Sequence, residues 1–376
     1  MSMKPLMPSE ARKACETQLT GGYMDEGPWL PVGIIETLED NRLITRWGSV
    51  ERWTGDFLNP EWWNTISFWG ESPKVDEIEV LKEDRFGLLL NIGSHIARVI
   101  PIPTGDHVSK LSRSVPELFA EHMLLPVGGW CEDGDRILLF PIHDITPIEP
   151  DAKLLGRIHH SIKQAELDTP CMQSMWNARL KSIEDRLKTN TLWRAHFDAA
   201  NRGIPHLGVS LEGFTSSGLR PEPRTLVEHL LSEDERLCAL RDLALIEYPS
   251  ALSDWSSTAP RAWSSKSALR TSRGGLWIQR YDVTLCRFAE SIAFKDDDLK
   301  IATTSFLGMV DRIQAKLGVI RSVRGVSLLA AIIALSSVML FEVSLISKGS
   351  MWISVIICSL VAILTFSAHR MMDPPP

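Results

Sequence analysis

The sequence has no surplus of basic charge. Its 376 residues carry 40 Lys and Arg against 47 Asp and Glu, a formal net charge of −7. With no cationic excess to neutralise phosphates, no nucleic-acid partner is expected. Cysteine is scarce, six in all, with no Cys-x-x-Cys pair and no His/Cys ligand spacing. That excludes a disulfide scaffold and gives no reason to expect a zinc site or any other metal. Residues 1–21 lack the apolar core of a signal peptide, so the bulk of the chain is expected to stay in the cytoplasm with reduced thiols. No internal repeat and no Gly-x-Ser-x-Gly nucleophile elbow occurs. At 44% hydrophobic and 23% charged residues the chain is not disordered overall.

Much of the apolar content sits at the carboxyl end. Residues 325–346 read GVSLLAAIIALSSVMLFEVSLI, with Glu342 as the one charge, and residues 349–368 read GSMWISVIICSLVAILTFSA, with none. About 20 residues at a rise of about 1.5 Å cross a hydrocarbon core of roughly 30 Å. Residues 325–368 are therefore expected to form a two-helix transmembrane hairpin with the bilayer as partner. Lys316, Arg321 and Arg324 precede the first span and Arg370 follows the second, against Lys348 alone in the turn. This bias predicts an inner-membrane, multi-pass protein with both termini cytoplasmic. Glu342, about one turn inside the outer end, either meets headgroups, water or Lys348, or lines a pore in an oligomer. Ala330/Ala334 and Ser350/Ser354 form small-xxx-small pairs that permit close helix packing.

Residues 296–324 read as an amphipathic stalk helix. Asp296, Asp297 and Asp298 suit its N-terminus. Leu299, Ala302, Phe306, Val310, Ile313, Leu317 and Ile320 recur at spacings of three and four. That apolar face packs on the chain's own globular domain, on a second copy as a short coiled coil, or along the membrane surface. A homo-oligomer through stalk and spans is one of these outcomes.

The remainder is expected to be α+β in two lobes. Residues 1–25 read as a flexible N-terminal segment, 26–112 as a strand-rich, Trp-dense subdomain, 113–295 as a mainly helical subdomain, and 369–376 as a cytoplasmic tail. Strand signals fall at 32–47, a hairpin around Glu39-Asp40-Asn41, and at 77–81, 86–92, 96–102 and 136–140. Trp29, Trp47, Trp53, Trp62, Trp63 and Trp69 form either the core of a small sheet, a docking surface or a ligand platform. Helices are expected over 116–125, 151–167, 171–187, 226–245 and 279–294, with a loop over 253–275.

The order of elements from 86 to 160 resembles the start of the aminoglycoside-phosphotransferase branch of kinase-like folds. IARVIP (96–101) resembles the strand that carries a nucleotide-binding Lys, here Arg98. The 116–125 helix, with Glu117 and Glu121, resembles the helix whose Glu pairs with that Lys. RILLFPIHDI (136–145) resembles the hinge strand, and LLGRIHHSI (154–162) the helix that follows it. The resemblance implies magnesium–ATP as cofactor and a His-x-Asp loop with Asn five residues on. In GIPHLGVSLEGF (203–214) His206 is present, but Gly208 and Gly213 stand where Asp and Asn should. HFDAAN (196–201) offers Asp198 and Asn201, with the Asn two residues early, and Glu247 stands for a second magnesium carboxylate. No Gly-rich phosphate loop precedes the Arg98 strand.

Two readings follow. One is a membrane-anchored cytoplasmic sensor or scaffold without a cofactor, whose hairpin anchors it or perturbs the membrane on oligomerisation. The other is a membrane-tethered, divergent kinase-like phosphotransferase using Asp198, Asn201 and Glu247.

Overall fold

The structure is a computed structural model that describes residues 5–11, 13–14, 35–39, 42–45, 48–170, 202–231, 236–247, 258–269, 273–343 and 345–371. The chain divides into two compact units, Met1–Glu184 with Ala195–Phe306, and Asp185–Arg194 with Leu307–Pro376.

The first unit is α+β. Strands β1 (Pro5–Leu6), β2 (Ile35–Glu39), β3 (Arg42–Thr45) and β4 (Gly48–Glu51) form a sheet in the order β1-β4-β3-β2. The hairpin expected around residues 40–41 is β2–β3, with Glu39 opposite Arg42. A second, six-stranded sheet holds β5 (Trp69–Gly70), β6 (Glu79–Asp84), β7 (Gly87–Asn91), β8 (Ile96–Val99), β9 (Gly128–Cys131) and β10 (Asp135–Phe140), in the order β5-β9-β10-β8-β7-β6.

Strands β7, β8 and β10 are buried on both faces, which is why they read as unbroken apolar runs. Leu90, Ala97, Val99, Ile137 and Leu139 pack with Trp63 on one face. Leu89, Ile96, Leu138 and Phe140 pack with Val108 on the other. Of the described tryptophans Trp63 and Trp263 are buried, and Trp53, Trp62 and Trp130 are half-buried against the Trp63 cluster. A one-turn helix, α1 (Pro60–Trp63), is capped by the Asn59 side chain and drops Trp63 into the sheet at 2% exposure. Its indole N–H donates to the Phe57 carbonyl at 3.0 Å, and Trp53, Phe57, Trp62 and Trp130 meet edge to face around it. Trp29 and Trp47 lie outside the described residues.

Helices α2 (His107–Ser114), α3 (Pro116–Phe119) and α4 (Ala152–Gln164) begin the second half. The helix expected over 116–125 is a single turn. The chain then straightens, because His122 and Leu124 exchange backbone hydrogen bonds with Leu219 (3.2 and 2.9 Å). Short strands β11 (Thr169–Pro170), β12 (Arg202–Pro205), β13 (Phe214–Thr215) and β14 (Gly218–Leu219) follow. The helix expected over 226–245 is broken into α5 (Leu226–Leu231) and α6 (Ala239–Glu247) by β15 (Arg236–Cys238), which pairs antiparallel with β12. The expected loop 253–275 contains a helix, α7 (Ala259–Ser267), and α8 (Arg273–Ala293) follows. The helix expected over 171–187 lies outside the described residues.

The reason α7 forms is tertiary rather than local. It packs on α4 at Gly156, where a Cβ would stand 2.8 Å from the Trp263 carbonyl oxygen. Trp263, 1% exposed, donates its indole N–H to His159 Nδ1 at 2.9 Å. An indole nitrogen only donates, so the His159 proton sits on Nε2, 3.1 Å from Asp242 Oδ2.

Helix α9 (Asp297–Glu342) starts as expected, with Asp296 Oδ1 accepting the Leu299 N–H at 2.9 Å. Thr303 and Phe306 are buried, so the first turns of the predicted apolar face pack within the chain itself. The side chains of Val310, Ile313, Leu317 and Ile320 are not among those described.

The second unit contains two apolar stretches long enough to cross a bilayer. These are Ser322–Glu342 of α9 and Lys348–Ala368 of α10 (Lys348–Met371), 21 residues each, with mean hydropathy 2.0 and 2.3. The first helix ends at Glu342, not at residue 346. The Leu345 N–H closes back on the Leu340 carbonyl (2.9 Å), and the Ser347 hydroxyl accepts the Ser350 N–H to start α10. Glu342 therefore stands exposed at the turn rather than a turn inside the span.

Candidate functional site around Arg98

The site is set by one strand position. Arg98 lies opposite Leu89 on β7 and Leu138 on β10, on the face of the sheet that packs toward α2. Its side chain is 0% exposed. Nη1 donates to Asp84 Oδ1 at 2.9 Å, and Nη2 to Glu222 Oε1 at 2.9 Å. Glu222 Oε1 also accepts Arg220 Nε at 3.0 Å and Nη2 at 2.6 Å. Burial lowers the Arg98 pKa, but the Glu222 and Asp84 carboxylates more than offset this and hold it above its ordinary value. A second bridge runs parallel. Arg85 reaches Glu212 at 3.1 Å and Glu290 on α8 at 3.3 Å. Burial pushes the Glu290 carboxyl up, although it also accepts Thr225 Oγ1 (2.6 Å) and Arg287 Nη1 (3.0 Å).

The surroundings are filled. The cavity lined by Phe86, His206, Gly208, Glu222 and Arg224 measures about 10 Å³, and the one beside Arg85 and Thr225 about 30 Å³. Pockets for small molecules and cofactors are typically about 300–1,000 Å³. Gly208 has φ +60°, and a Cβ there would collide with the Glu222 carbonyl oxygen; a Cβ on Gly213 would collide with that of Arg220. The two positions where the resemblance asks for Asp and Asn have no room for any side chain. Gly208→Asp is accordingly expected to destabilise the protein by about 3 kcal/mol, from backbone strain and overpacking, and to confer no ATP turnover. Denaturant titration and a phosphate-release assay check both halves.

The expected pairing of Arg98 with Glu117 or Glu121 is absent. Both glutamates are exposed, Glu117 on the single turn Pro116–Phe119 and Glu121 beyond its end. Glu247 is buried on α6 and holds Arg280 bidentately at 2.7 and 2.8 Å, a structural ion pair rather than a free carboxylate. Asp198 and Asn201 lie outside the described residues. The carboxylates that do meet Arg98, Asp84 and Glu222, were missed. Neither lies in a motif; the one available signal was the alternation Arg220, Glu222, Arg224 in a proline-rich extended stretch. Among the described residues no three His, Cys, Asp or Glu side chains are grouped to hold a metal ion.

His206 borders the small cavity. Its Nδ1 accepts the Gly208 N–H at 3.0 Å, and its ring centroid stands 5.3 Å from that of His107. Burial, with Arg224, His107 and Arg241 nearby, holds it well below the usual imidazole range. Its ordinary value is about 6.5. Its contribution to stability is complete above that pH. It is lost as pH falls below it, because the unfolded chain then binds the proton first. His206→Asn, which keeps an acceptor for the Gly208 N–H, should flatten the loss of stability between pH 7 and 5, by up to about 1.4 kcal/mol per pH unit. Urea titrations at several pH values read this directly.

A larger and more open pocket of about 390 Å³ lies elsewhere in the first unit, between Met7, Pro8 and Glu10, the stretch Glu51 to Thr54, Pro103 and Arg136. Trp53 forms one wall, with the Arg136 guanidinium 5.3 Å from its ring and 5.5 Å from that of Trp130.

No protein-family model matches the chain, and no curated protein matches it. Among solved structures it is similar to the GDP and kanamycin complex of APH(2")-IIia, at 12% identity and TM-score 0.40, over 63% of this chain and 94% of that one. It is also similar to the GDP complex of wild-type aminoglycoside 2'-phosphotransferase-IIIa, at 12% identity and TM-score 0.38, over 63% of this chain and 93% of that one. The chain thus has a weak resemblance in fold to aminoglycoside phosphotransferases.

Proposed function

We propose that the chain is a membrane-anchored cytoplasmic sensor or scaffold, with no phosphotransferase chemistry. One observation carries this reading: Arg98, at the position where the resemblance calls for a nucleotide-binding cation, is sealed between Asp84 and Glu222 beside a cavity of about 10 Å³. A guanidinium already neutralised by two carboxylates has little left to offer a phosphate, and breaking those pairs is costly. The glycines at 208 and 213 support the same conclusion, since no base and no magnesium ligand fits there. A sensor's ligand space is better sought in the pocket beside Trp53 and Arg136.

The anchor is the pair Ser322–Glu342 and Lys348–Ala368. Their windows are 11% and 6% buried within the protein, so apolar side chains such as Leu328, Ile332, Leu335, Ile356, Leu360 and Leu364 stand 55–67% exposed. Fully burying one such side chain is worth about 1.5–3 kcal/mol, which a bilayer supplies. Lys316, Arg321, Arg324 and Arg370 against Lys348 favour an inner membrane with both termini cytoplasmic.

Thermal unfolding of the full chain in nanodiscs, with and without magnesium–ATP or magnesium–GTP, tests the reading. No shift is expected. A magnesium-dependent stabilisation would transfer the assignment to the phosphotransferase alternative.

A further inference from the structure

We infer that the hairpin is clad in lipid hydrocarbon on every outward face and has no surface from which to build a pore; this rests on the membrane reading above and decides between anchor and membrane-perturbing effector. The two helices meet through their small residues. Ser327 Oγ donates to the Ala362 carbonyl at 3.4 Å, and Ala330 and Ser337 are buried. Ala334, Ser354, Cys358, Ala362 and Thr365 are half-buried on the same seam. The small-xxx-small pair Ala330/Ala334 is thus spent inside one hairpin and is not available to join a second copy. The hydroxyls on this seam are also satisfied locally: Ser337 donates to the Ile333 carbonyl at 2.9 Å, and Thr365 to that of Val361 at 2.7 Å.

What remains outside is large and apolar. An aqueous pore needs a polar stripe running the length of a helix. Ser336 is an exposed hydroxyl in mid-span, but the residues one turn away on its face, Ile332, Ile333, Met339 and Leu340, are all exposed aliphatic or thioether side chains. On α10 every exposed position from Trp352 to Phe366 is large and apolar, Ile353, Ile356, Leu360 and Leu364 among them, and the exposed Ser367 lies at the end of the apolar stretch. The charged groups keep to the ends. Glu342 and Lys348 flank the turn, and Trp352 is exposed one turn in, where an indole suits the headgroup boundary. A surface of this chemistry fits acyl chains, and Glu342 at the turn cannot line a channel through the core.

The full chain reconstituted at increasing density into phosphatidylethanolamine/phosphatidylglycerol vesicles loaded with a self-quenched dye tests this, with a pore-forming peptide as positive control. The expected result is alkali-resistant incorporation with dye release no greater than in protein-free vesicles at every density. Release that climbs with protein density would overturn the inference while leaving the membrane reading intact. Failure to incorporate at all would overturn the membrane reading and the inference together.

Discussion

Arg98→Ala is expected to destabilise the first unit by roughly 3–5 kcal/mol, because it strands buried carboxylates without their counter-ion. Asp84 keeps some solvent, at 11% side-chain exposure, and Lys82 at 3.6 Å, but Glu222 is 1% exposed and retains only Arg220. Glu222→Gln should cost less, since the amide oxygen can still accept from Arg98 or Arg220, and its loss should be nearer 1.5–3 kcal/mol. Tryptophan fluorescence during urea unfolding in detergent micelles measures both. The order of the two variants matters as much as their size. Were Arg98 a nucleotide ligand held ready in an open cleft, its removal would leave stability almost unchanged and abolish binding instead.

Placing one Arg in the middle of each span, Ile332→Arg with Leu360→Arg, should weaken insertion by about 6 kcal/mol, at roughly 2.5–3.5 kcal/mol for each Arg at a helix centre. That is about four decades in partition between membrane and water. The double variant should be released by alkaline carbonate while the parent chain stays in the pellet. Both positions are more than half exposed, so no packing inside the protein is disturbed. A helical pair that lived in water would leave the parent chain itself in the carbonate supernatant, and the double variant would show no change.

The parts legible from sequence were those fixed by periodicity over many residues. The two long apolar helices, the β2–β3 hairpin and the doubly buried strands β7, β8 and β10 all carry patterns long enough to outweigh local noise. What failed depended on partners far along the chain. Residues 116–125 have good helix formers, yet the backbone beyond Phe119 is taken by Leu219, about a hundred positions away. Arg236 to Cys238 would continue a helix by propensity, but pairing with β12 makes them a strand. The Ser-rich stretch that holds α7 gave no amphipathic signal, and its helix is organised by Trp263 on His159. At the site, Arg98 was recognisable because IARVIP resembles the strand that carries a nucleotide-binding Lys. Its partners were not, since nothing local distinguishes Asp84 or Glu222 from any surface carboxylate. Glu247, which the resemblance offers as a second magnesium carboxylate, is committed to Arg280.

The central claim is that hydrocarbon surrounds the last two helices while the domain before them stands in water. Nitroxide labels at positions 332 and 356 of the full chain in liposomes test it most directly, by comparing collision with oxygen, which concentrates in lipid, and with a polar nickel chelate, which does not enter it. High oxygen and negligible nickel accessibility at both sites is the predicted result. Nickel accessibility equal to that of a label on an exposed residue of the first unit would contradict it.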